Sequence, residues 1–227
     1  MDKVTWNDLD WWSTTEWQTI QFLLNYYDEH HLMYNPSRQD MFRALDLVDL
    51  CDVSVAIFGQ DPYPDSRFAT GLAFDVPEDT VGLPRTLETM YEELGTDLNI
   101  IRRYGSLEGW CRQGVLLWNV IPTCTTGLSL SHDWPEYKLL TNEITEELCK
   151  QGIVFVLLGG KARSFVDIIN YYDLELPGDN KLIELCHPSP RANANAKTDA
   201  KFIGSRMFSR INDHLVSLGR NPIDWRL

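Results

Sequence analysis

The sequence has 227 residues, 44% hydrophobic and 11% aromatic, with 20 Lys and Arg against 33 Asp and Glu for a formal net charge of −13. This length and apolar content suit one domain over residues 1–227 with a well-filled core, and exclude a disordered or repetitive chain. No run approaches the ~18 apolar residues of a membrane span, and residues 1–6 show no basic-then-apolar leader, so an intracellular protein of cytoplasm or nucleus is expected.

Near the N-terminus, Trp17, Ile20, Leu24 and Tyr27 recur at helical spacing and predict an amphipathic helix. Its end, Asp28-Glu29-His30-His31, has metal-ligand residue types without matching ligands elsewhere, and reads as a solvated helix end. Val53–Phe58 is a continuous apolar run of the buried-strand type, followed by Gly59-Gln60-Asp61-Pro62-Tyr63-Pro64. Leu87, Met90, Tyr91 and Leu94 make a second helical stripe. Val115–Trp118 is the next strand, closed by Asn119. Ile153–Leu158 then leads into Gly159-Gly160-Lys161, and Leu182–Cys186 into His187-Pro188-Ser189-Pro190. Met207, Ile211, Leu215 and Leu218 form the last stripe. Strands alternating with helices predict an α/β fold of three layers, α/β/α, around a four-stranded, mainly parallel sheet.

Ligands of such folds gather beyond the carboxyl ends of the strands. There Asp61, Tyr63, Asn119 and His187 arrive from separate segments. Each alone reads more readily as a turn, cap or loop residue; the four around one crevice predict a site. The cysteines (Cys51, Cys111, Cys124, Cys149, Cys186) are odd in number and contain no C-x-x-C pair, so free, mostly buried thiols in a reducing compartment are expected. Charge is uneven: residues 1–50 carry nine acids against three bases, whereas 191–227 carry seven bases against three acids. Salt screens beyond about 8 Å, so a phosphate feels its nearest neighbours, and the overall acidity predicts weak, salt-sensitive nucleic-acid affinity.

Gly59-Gln60-Asp61-Pro62-Tyr63 resembles the water-activating loop of family-1 uracil-DNA glycosylases. Gly71-Leu72-Ala73-Phe74, Gln113-Gly114-Val115-Leu116-Leu117 leading to Asn119, Ser131-His132, His187-Pro188-Ser189-Pro190 and Pro222-Ile223-Asp224-Trp225 follow in that family's order. The likeness runs from about Tyr34 to the end. It implies a uracil-DNA glycosylase-like fold and a DNA-repair hydrolase. Such an enzyme flips uracil out of single- or double-stranded DNA and hydrolyses its N-glycosidic bond, leaving an abasic site. It also implies a monomer that needs no metal, organic cofactor or membrane.

By the same resemblance, Asp61 stabilises the sugar cation and orients or deprotonates the attacking water, while His187 donates to uracil O2. Asn119 reads uracil O4 and N3–H, a pattern that cytosine reverses. Phe74 is the stacking platform, Tyr63 stands where thymine carries its methyl group, and Gln60 contributes through its backbone. Thr86, Lys161 and Ser189 fall in the family's DNA-backbone loops, with Arg85 and Arg163 beside them. Pro64 stands where cellular members carry histidine, and Arg191 where a leucine wedge is expected. The segment 191–201 is longer than in the family and is expected to be an extended loop. These departures suit a viral or phage member and bear on DNA handling more than on the pocket. They predict reduced sensitivity to protein inhibitors that mimic DNA and grip the wedge. A silent binding scaffold and a glycosylase for another base are the alternatives. Asp61, Asn119 and His187 argue against the first, Tyr63 and Asn119 against the second.

Overall fold

The computed structural model describes residues 4–175 and 179–226. Two 3-10 turns, Trp6–Asp8 and Asp10–Ser13, precede α1 (Thr15–Glu29), whose first turn is capped by the Thr14 hydroxyl accepting from Trp17 N. Ile20 and Leu24 of its predicted stripe are buried, while Trp17 and Tyr27 are half-buried. Trp17 joins Trp11, Trp12 and Phe42 in a cluster of tilted and edge-on rings, a preferred aromatic geometry. Next come β1 (Tyr34–Asn35), α2 (Arg43–Leu47), β2 (Val55–Gly59), α3 (Arg85–Leu98), α4 (Glu108–Cys111), β3 (Val115–Asn119) and β4 (Cys124–Thr125). The chain continues through α5 (Pro135–Cys149), β5 (Val154–Leu158), α6 (Gly160–Arg163), α7 (Val166–Glu175), β6 (Lys181–Leu185), α8 (Pro190–Asn195) and α9 (Met207–Ser217).

The main sheet runs β3-β2-β5-β6, parallel throughout, and β1 pairs with β4 in a small antiparallel ribbon. The predicted three-layer architecture is therefore present. Every residue of β2, β3 and β5 is buried, as expected of parallel strands covered on both faces. The edge strand β6 differs from the predicted continuous run: Lys181 and Glu184 face solvent, and such charges discourage pairing with another sheet. On one side of the sheet α5 packs against α7 and α1, and α3 packs against α9 and α8 on the other. All four residues of the α3 stripe are buried; in α9 the stripe ends one residue early, with Leu218 as the C-cap.

Because β2 connects towards β3 and β5 towards β6, the chain diverges at the carboxyl ends of β2 and β5. That switch point opens a crevice where the register puts Gly59 beside Asn119. Motifs away from the crevice brace it. Gln113 and Asp224 exchange side-chain and backbone hydrogen bonds (3.0 and 2.7 Å), and Trp225 packs edge-on against Trp110, 5.0 Å between ring centroids. Cys111, Cys124, Cys149 and Cys186 are buried free thiols, and Cys51 is exposed. No helix among the described residues is long and apolar enough to cross a membrane.

Candidate active site

The β2 strand ends on Gly59 because nothing larger fits. A Cβ there would lie 2.7 Å from Asn119 Oδ1 and 3.1 Å from Phe74 Cε2. The chain then turns outward and presents Asp61. Its Oδ1 accepts from Gln60 Nε2 (2.8 Å), and its Oδ2 accepts from Ser129 Oγ (2.7 Å) and the Leu130 N–H (2.6 Å). The Gln60 carbonyl accepts from Ile121 N (3.0 Å). Asn35, buried on β1, donates to Pro64 O (2.8 Å) and pins the far end of the loop. Tyr63 donates its hydroxyl to Phe74 O (3.2 Å), and burial pushes its phenol well above the ordinary range, so it stays neutral.

Phe74 is buried in a left-handed backbone conformation (φ 66°), a strained state of the kind that clusters at functional sites. Behind it Asp75 accepts from Thr70 Oγ1 (2.5 Å) and Leu107 N (2.6 Å); burial pushes its carboxyl up to about 6. Asn119 is the last residue of β3 and only 6% exposed, its Oδ1 directed at the space beside Gly59. His187 follows β6, its ring 5.9 Å from that of Phe74. The Ser189 N–H donates to His187 Nδ1 (3.2 Å), which leaves the proton of a neutral imidazole on Nε2. Burial lowers the pKa of His187, and Asp61 opposes that shift through its charge. Gly159 makes room for the imidazole: a Cβ there would sit 3.1 Å from His187 Cβ.

These groups surround a cavity of about 170 Å³ whose walls include Asp61, Tyr63, Phe74, Thr86, Ser129 and His187. It is well below the ~300–1,000 Å³ of pockets that hold drug-sized ligands, and suits one small ring. Asn119 stands behind this wall, next to Gly59 and Phe74. Sequence reasoning missed Ser129 and Leu130. Leu130 acts through a backbone N–H, which leaves no trace in residue type, and a lone Ser beside Ser131-His132 carried no distinguishing signal.

On the rim, Thr86 belongs to the first turn of α3 and not to a loop. Ser189 caps α8, accepting from Ala192 N (3.3 Å). Lys161 is already paired with Asp133, and Arg85 with Glu88 (2.8 Å). The expected extended loop over 191–201 is instead α8 followed by a 3-10 turn, Thr198–Ala200. Asn193 Oδ1 fixes it by accepting from Phe202 N (3.0 Å) and Ile203 N (2.9 Å), contacts that local residue patterns do not reveal. Arg191 projects from α8 into solvent. Of the Asp28–His31 cluster, Asp28 pairs with Arg38 and His30 stacks on Tyr26.

Residues 45–216 match the profile of the Uracil DNA glycosylase superfamily. The chain is 37% identical over 210 residues to the uracil-DNA glycosylase of Clostridium perfringens, an alignment covering 91% of this chain and 87% of the relative. It is 33% identical over 240 residues to that of Campylobacter jejuni, covering 100% and 96%. Its fold superposes on the crystal structure of mimivirus uracil-DNA glycosylase with a TM-score of 0.82, covering 95% of this chain and 83% of the other at 24% identity. With the profile match, the predicted sheet and relatives aligned over nine-tenths of the chain or more in agreement, the chain belongs to the uracil-DNA glycosylase superfamily.

Proposed function

We propose that this protein is a family-1 uracil-DNA glycosylase that extrudes uracil from single- or double-stranded DNA and hydrolyses its N-glycosidic bond. The carrying observation is the meeting of three chemically distinct groups at one small cavity, the Asp61 carboxylate, the Phe74 ring and the His187 imidazole, with the Asn119 amide beside Gly59 behind the cavity wall. An amide offers a donor and an acceptor side by side, matching uracil O4 and N3–H; cytosine would leave buried groups unpaired. Phe74 supplies the stacking face, worth about 1–3 kcal/mol per base. As the bond stretches, Asp61 steadies the cationic sugar and orients water, and the Nε2–H of His187 stabilises the departing anion. The residues present provide this chemistry with no metal or organic cofactor in any step.

The whole chain acts as one domain and as a monomer. Thr86 and Ser189 meet the DNA backbone at the cavity rim, and Arg191 fills the gap left by the flipped base, stacking its guanidinium on neighbouring bases. Lys161 reaches phosphate only by exchanging its Asp133 partner. A mimivirus UNG variant has been crystallised in complex with UGI; with Arg191 at the wedge position, this protein binds such a DNA-mimicking inhibitor weakly.

The basic test incubates purified protein with single-stranded DNA carrying one uracil and follows alkali-labile cleavage, which is expected at the uracil alone. Tyr63→Ala is expected to add slow release of thymine, because its ring no longer fills the space of the C5 methyl. A Tyr63→Ala protein active on uracil yet inert on thymine would remove the steric-gate assignment. Gly59→Ala is expected to reduce uracil release by about 10²-fold, since displacing Asn119 or Phe74 by a fraction of an ångström spoils alignment. Wild-type turnover in Gly59→Ala would show that the base is read elsewhere.

A further inference from the structure

Ser129 sits on the exposed turn between β4 and α5, held from several directions. Gly127 N donates to Pro64 O (2.8 Å), joining the turn to the Asp61 loop, and Leu128 N donates to Thr125 O (2.9 Å). Ser131 Oγ donates to Leu128 O (2.8 Å) and accepts from Thr125 N (2.7 Å). The buried His132 imidazole, stacked on Trp134, bridges the hydroxyls of Thr123 (2.8 Å) and Thr125 (3.1 Å). Leu130 adopts a left-handed backbone (φ 62°), costly for any residue with a Cβ, and that conformation accompanies an N–H aimed at Asp61 Oδ2.

An ionised carboxylate offers about four lone-pair directions. Those of Asp61 Oδ2 are taken by Ser129 Oγ and Leu130 N, and one on Oδ1 by Gln60 Nε2. Among the described residues a single direction, on Oδ1, stays open. We propose that Ser129 is a positioning residue for the glycosylase reaction: with the Leu130 N–H it saturates Oδ2 and makes Oδ1 of Asp61 the one acceptor that meets the attacking water. The inference rests on the uracil-glycosylase reading of the site.

The test compares wild type, Ser129→Ala, Ser129→Thr, Asp61→Asn and the Ser129→Ala/Asp61→Asn double variant on single-stranded uracil DNA. Ser129→Ala is expected to lower kcat about tenfold, as befits losing one hydrogen bond to a charged acceptor, with KM and melting temperature unchanged. Ser129→Thr, which keeps the hydroxyl, restores most of that loss. In the Asp61→Asn background, Ser129→Ala has no further effect, because no carboxylate remains to be placed. Wild-type kcat in Ser129→Ala, or a tenfold loss that persists undiminished without Asp61, overturns the inference. A wild-type protein that releases no uracil overturns the glycosylase reading itself, a result distinct from an active enzyme indifferent to Ser129.

Discussion

Asp61→Asn is expected to slow uracil release by about 10²–10⁴-fold, the range typical of a positioned general base or charge stabiliser. Asparagine has nearly the same shape. Its amide oxygen can still accept from Ser129 Oγ and Leu130 N, while its NH₂ turns towards Gln60, whose own amide flips to present oxygen. The loop should therefore keep its conformation and the melting temperature should stay close to that of wild type. What disappears is the negative charge beside the developing sugar cation and the acceptor for the water. Single-turnover assays with DNA in excess of its dissociation constant separate this chemical step from binding. Near-normal turnover in Asp61→Asn would sink the assignment of Asp61.

His187→Leu is expected to cost about 10²–10³-fold in kcat, equal to roughly 2.7–4 kcal/mol for removing one preorganised donor to a developing anion. The sign of its pH dependence is a separate check. The pKa of His187 lies below the ordinary histidine value because burial disfavours the imidazolium. The neutral ring, with its proton on Nε2 by virtue of the Ser189 N–H bond to Nδ1, is then the working form at neutral pH. Accordingly kcat should stay level or rise as pH increases from about 6 to 8. An alkaline decline that vanishes in His187→Leu would mark the imidazolium as the active species and overturn the neutral-donor assignment. Folding carries the same sign: the unfolded state binds the proton more readily, so the contribution of His187 to stability is present above about 6.5 and is lost as pH falls through the folded-state value. Buried His132, pushed down to about 4, adds to that acid sensitivity over the window from about 6.5 to 4.

Much of this was legible in the linear sequence. The unbroken apolar runs that became β2, β3 and β5 announced a sheet covered on both faces, because parallel strands must bury both sides. Residues following successive strands were bound to share one rim, because parallel strands all end on the same side. Asp61, Tyr63, Asn119 and His187 therefore group together in the sequence alone. The tertiary structure alone decided contacts that rest on backbone geometry or on partners distant in sequence. The N–H of Leu130 reaches Asp61 only through a left-handed backbone, and Ser129 lies 68 residues away from the carboxylate it holds. The 191–201 segment reads as an extended loop because it is longer than in the family; Asn193 nevertheless fixes it by accepting from N–H groups nine and ten residues further on. Residue type and spacing determine which surfaces are buried and where strands end. Which hydroxyl or N–H completes a carboxylate depends on how separate loops come to rest against one another, and no local pattern encodes that.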